Sequence, residues 1–208
     1  MNKETHQSDQ VSDIIEKSIL STSLNENSWA ALSQSQDLFS KSLKLGRVRG
    51  VVDIIIDTPG QSGRDASEYI QLIRELIQND ILVTISGSKT SESSLLGMMD
   101  TDLFQHAEEG LSEFCGFIGV QPVLEIAGID ESEIVNFYNE AAQRADVKIE
   151  DLPVAQVAPQ GQTGQLKNII AMGKNPMDTA ELINAQIHEK RLALNWCDRC
   201  SGAFSPFS

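Results

Sequence analysis

The stretch DILVTISGS (80–88) decides the fold. Ile81 to Ile85 are apolar or β-branched without the alternation of a half-solvated strand, and the run ends in a Gly-containing turn. A strand buried on both faces has this character, and such strands belong to parallel sheets covered by helices. GVVDIII (50–56) has the same composition. PVLEIA (122–127) supplies a third strand, and VKIEDLPVAQVA (147–158) contains a fourth, shorter one limited by Pro153 and Pro159. In open sheets of this kind the chemistry sits just past the carboxyl ends of the strands, which draws attention to Ser88.

Helical patterns separate these strands. Ser62 and Asp65 have capping-box spacing, with Asp in place of Glu or Gln, before a helix through Gln78. Tyr69, Ile70, Ile73, Leu76 and Ile77 share one face of it. A short helix is expected around 91–99 and another over 102–117. In the second of these, Cys115 lies on the face of Leu111, Phe114 and Ile118 and packs in the core. Asp130 and Glu133 have N-terminal spacing for a helix to Arg144. Asp178 and Glu181 open a final helix to about Asn195, after the Gly- and Gln-rich segment 160–176, which reads as a linker. Residues 1–45 are serine-rich without Gly or Pro, and VSDIIEKSIL and WAALSQSQDLFSKSL each carry helical spacing.

Strands alternating with helices imply right-handed βαβ units. The expected fold is therefore α/β, a three-layer Rossmann-like domain with a parallel sheet of four or five strands. It is divided into a partly flexible helical arm (1–45), the α/β domain (46–160), and a linker, helix and Cys-containing tail (161–208).

The 208 residues include 30 acidic and 16 basic side chains, a net charge of −14. Such a surface repels a nucleic-acid backbone or an anionic membrane, so neither is an expected partner. No apolar run is long enough to span a bilayer, and the polar start MNKETHQSDQ has no hydrophobic signal core. Cys115, Cys197 and Cys200 are too few for a secreted disulfide framework. A cytoplasmic location is the expectation from these features.

RGVVDIII, DILVTISGS with GMMD further on, GLSEFCGFIGVQPVLEIAG and EDLPVAQVAP occur in a fixed order. Together they resemble the C-terminal α/β domain of the nickel-iron-sulfur carbon monoxide dehydrogenases of the prismane (hybrid-cluster) superfamily, over about Gly46 to Pro159. The resemblance implies a cluster held by cysteines at three strand ends and by a His. Laid over this chain, the cysteines fall near Asp57, on Ser88 and on Ile129, and the His on Glu125. Thiolates are the soft ligands that hold Fe–S clusters. A hydroxyl and a carboxylate are hard, and Ile has no donor. The family's long helical N-terminal region, with its remaining ligands and electron-carrying clusters, has no counterpart in these 208 residues. The resemblance thus implies a truncated homologue without the family's cofactor and without catalytic residues, binding a protein partner or a second copy of itself. The alternative is a divergent metal-binding protein or oxidoreductase component using Asp57, Ser88 and Glu125, or the tail cysteines.

Three other patterns have both a chemical and a bland reading. Asp57, Ser88, Glu125, Asp130 and Glu131 gather at the carboxyl edge, as a pocket for a hard metal or polar ligand or, the favoured reading, as caps and turns. TPGQSG (58–63) offers amides for a phosphate, but lacks the P-loop ending and a full G-x-G-x-x-G, so a strand-to-helix turn is favoured. Cys197 and Cys200 form a C-x-x-C, half a tetrahedral metal site, which a second chain could complete; an incidental exposed pair is favoured. His6, His106 and His188 are scattered and give no catalytic base.

Overall fold

The computed structural model describes residues 28–56, 66–87, 105–126, 128–158, 169–173 and 175–196. Five parallel strands form one sheet in the order β3-β2-β1-β4-β5. They are β1 (Gly50–Ile56), β2 (Ile81–Gly87), β3 (Val123–Glu125), β4 (Val154–Ala158) and β5 (Ile169–Ala171). The helices are α1 (Gln36–Leu45), α2 (Ala66–Ile77), α3 (Glu109–Ile118), α4 (Glu131–Ala145) and α5 (Pro176–Ala193). This is the α/β architecture expected, at five strands. The strand order runs outward from β1 in both directions, so the switch point lies between β1 and β4.

The runs that predicted doubly buried strands are buried. Val51, Val52, Ile54, Ile81, Leu82, Val83 and Ile85 are all buried in the core. Of the face expected of α2, Tyr69, Ile73, Leu76 and Ile77 are buried and Ile70 is partly buried, and Leu72 joins them. Trp29 and Phe39 each pack a tilted ring against Phe137, at centroid distances of 5.2 and 5.1 Å, joining residues 28–34, which are helical, and α1 to α4. Residues 28–34 and α1 are therefore built into the same core as the sheet.

Some local expectations need correction. Residues 29–43 were expected as one helix, but the chain turns at Ser35 before α1 begins. The helix expected over 102–117 starts only at Glu109, because Asp80 fixes its first turn: Asp80 Oδ1 accepts from the Leu111 N–H at 2.8 Å. The segment 160–176 is not simply a linker, since Ile169–Ala171 pairs with Gln156–Ala158 as a fifth strand. Three residues are too few to show a period. α5 begins at Pro176 rather than Asp178, because Asn175 Oδ1 accepts from the Met177 N–H at 3.1 Å. Asp130 caps α4 as expected, accepting from the Ser132 N–H at 2.8 Å. The helix expected in VSDIIEKSIL, the Ser62/Asp65 box, the helix at 91–99, TPGQSG and the C-x-x-C tail lie outside the described residues.

Candidate functional site

The carboxyl edge is built from three adjacent strands. Ile56 and Gly87, the residues preceding Asp57 and Ser88, are register partners, and Ile85 pairs with Glu125. Asp57, Ser88, Cys197 and Cys200 themselves lie outside the described residues. Glu125, half-buried, is the last residue of β3. The backbone runs one residue further along β2, Ile126 N–H donating to Ile85 O at 3.0 Å. It then turns: Gly128 has a φ of 80°, and the Ile129 N–H donates back to Ile126 O at 3.1 Å. This turn seats Ile129 against the hydrophobic core. Among the described residues no three His, Cys, Asp or Glu side chains gather closely enough to hold a metal ion. Cys115 is buried on α3, and burial pushes its thiol up to about 12, so it stays protonated.

One polar constellation escaped the sequence reading. Asp53 sits at the middle of β1, flanked in register by Thr84 on β2 and Gln156 on β4. Register partners in a parallel sheet share a face, so the three form a row across its centre. Thr84 Oγ1 donates to Asp53 Oδ1 at 3.2 Å. Ser86 Oγ donates to Oδ2 at 2.9 Å and Gln156 Nε2 to Oδ2 at 2.7 Å. The fully buried Tyr138 of α4 hydrogen-bonds Thr84 from above. Burial raises the Asp53 carboxyl above its ordinary value, against the pull of Gln156, Ser86 and Thr84. Burial, followed by the neighbouring Asp53, likewise raises the Tyr138 phenol. The available signal was one polar residue in the middle of each apolar run: Asp53 in GVVDIII, Thr84 in ILVTI and Gln156 in VAQVA.

Comparison with known proteins fixes the lineage. The family model described as Prismane/CO dehydrogenase family matches residues 1–187. The chain belongs to the Prismane/CO dehydrogenase family. The match is wider than the stretch that carried the resemblance, taking in the N-terminal helices and most of α5. A carbon monoxide dehydrogenase of Methanocaldococcus jannaschii is 34% identical over 116 residues, 55% of this chain and 19% of that protein. Carbon monoxide dehydrogenase 1 of Methanosarcina mazei is 31% identical over 93 residues, 44% of this chain and 15% of that protein. The chain thus spans about a fifth of the length of these curated relatives. Among solved structures, a nickel-free carbon monoxide dehydrogenase from Thermococcus sp. AM4 superposes with a TM-score of 0.66. That match has 22% identity and covers 80% of this chain and 33% of that one. Carbon monoxide dehydrogenase IV from Carboxydothermus hydrogenoformans gives 0.64 at 22% identity, over 83% and 35%. At these identities the two structures establish the fold.

The residues described at this edge do not suit the nickel-iron-sulfur cluster that the family resemblance implies. The position on which the sequence resemblance lays a thiolate is Ile129, a partly buried aliphatic side chain packed against the core. The position on which the resemblance lays a His is Glu125, whose carboxylate is a hard oxygen donor. Soft cluster chemistry needs thiolate sulfur, and the one described Cys is held protonated in α3.

Proposed function

We propose that this chain is a non-catalytic member of the Prismane/CO dehydrogenase family, acting in the cytoplasm by binding a protein partner or a second copy of itself. The observation that carries this reading is Ile129. Its backbone is drawn into a tight turn and its side chain packs on the core, so this strand end serves the fold where the family resemblance asks for a ligand. Asp57, Ser88 and Glu125 support it, being hard oxygen residues at the other aligned positions. The net charge of −14 favours a protein partner over a polyanion.

The test is anaerobic reconstitution with iron, sulfide and nickel, followed by dye reduction under carbon monoxide. No turnover is expected from the chain or from Ser88→Cys, because one restored thiolate leaves Asp57, Glu125 and Ile129 unchanged. Turnover by the unmodified chain overturns the reading. A bound cluster without turnover moves it to a divergent metalloprotein.

A further inference from the structure

The Asp53 row does not belong to the strand-end site, and its chemistry is unusual for a sheet centre. Only 6% of Asp53 is exposed. Its hydrogen-bond partners are all neutral: the hydroxyls of Thr84 and Ser86 from β2 and the amide of Gln156 from β4. The facing titratable group from α4 is Tyr138, a phenol that stays neutral beside it. No cationic side chain pairs with Asp53 among the described residues, and a carboxylate left without a counter-charge in such a place neutralises rather than remain ionised. Gln156 adds a second, independent observation. Its Nε2 donates to Asp53, but its Oε1 is buried with no donor. The cluster is short of one proton donor.

A metal ion would fill that role only if it had room. Direct contacts of 2.7 to 3.2 Å already surround the carboxylate. A Mg²⁺ or Ca²⁺ would have to part these groups and bond its oxygen ligands at about 2.0–2.6 Å. A proton needs no such space.

We propose that Asp53 is a neutral carboxylic acid in the folded chain, paired edge to edge with the Gln156 amide across the β1–β4 switch point. The acid O–H donates to Gln156 Oε1 while Nε2 donates to the other carboxyl oxygen. Rotation of the amide about its terminal bond is the movement that would close this two-bond ring. The upward displacement of the Asp53 carboxyl by burial has the same sense. When alkali removes the proton to solvent, Oε1 loses its donor and an unopposed charge appears between the two central strands. The seam is thereby a pH-sensitive contact, weakened as pH rises.

Carbon-13 NMR on the full 208-residue chain tests this directly. The Asp53 side-chain carboxyl resonance, assigned through the backbone, is followed with pH. It is expected at the protonated position at neutral pH; an ionised position there overturns the proposal. A stoichiometric displacement of that resonance by added Mg²⁺, Ca²⁺ or K⁺ at neutral pH also overturns it, in favour of a cation site. Asp53→Asn supplies the second readout, because its amide reproduces the acid's donor. The native chain should lose stability relative to this variant as pH rises from the ordinary aspartate value of 3.8 through the folded one. A difference in unfolding midpoint that does not change with pH over that range overturns the proposal.

Discussion

Arg191 shows how much one side chain can hold. It is fully buried on α5, and its Nη1 donates to Leu43 O at 2.7 Å and Arg49 O at 3.0 Å. Leu43 lies in the last turn of α1, where carbonyls carry the negative end of the helix dipole. The guanidinium also lies 5.8 Å from the Trp196 ring. It thus ties α1, the entry to β1 and α5 together. Arg191→Leu removes a charged donor from two carbonyls and is expected to cost about 3 kcal/mol, read from the urea midpoint. Asp130 acts in the opposite part of the pH scale from Asp53. The Ser132 hydroxyl and then its N–H hold the Asp130 carboxyl below the ordinary value. Its contribution is present above 3.8 and is lost as pH falls through the lower folded value. Asp130→Asn should therefore lower the melting temperature at neutral pH, and the gap should close in acid. A gap that widens in acid would contradict this cause.

At the scale of elements, β1 and α5 meet through the smallest residue available. A Cβ on Gly50 would lie 2.6 Å from Pro153 O and 2.7 Å from Ile187 Cδ1. Ile187 can shift, but Pro153 belongs to the backbone entering β4, and its carbonyl accepts the Val51 N–H at 3.0 Å. Gly50→Ala is expected to destabilise by about 1–3 kcal/mol, the range for overpacking a filled core, measured by chemical denaturation. α5 is set at its other end by Asn175, which caps the helix on Met177 N–H and donates from Nδ2 to Asp178 at 3.0 Å. Asn175→Ala should cost about 1 kcal/mol, the usual worth of a lost N-cap. A change within error in the same assay would show that Pro176 alone starts the helix.

Across the whole molecule, stability should follow the sheet outward from its centre. β1 is paired on both sides, with β2 and β4, whereas β3 and β5 are three-residue edges. Native-state hydrogen exchange is expected to protect the amides of β1 and β2 longest and to release those of β5 first; equal protection across all five strands would refute this order. The sequence by itself determined the alternation of parallel strands and helices. Continuous β-branched runs, the helical spacing of α2 and the cap at Asp130 are local signals, each readable within a dozen residues because strand and helix periods repeat at that range. The family was legible in the same way, from phrases in fixed order. Tertiary structure alone decided the rest. The pairing of Ile169–Ala171, the seat of Ile129 on the core and the burial of Arg191 depend on which segments meet. The Asp53 row joins residues on three strands and a helix, with Asp53 and Gln156 separated by 103 positions. No local period records such a meeting, because hydrogen bonds between distant segments form only when the sheet brings the strands into register.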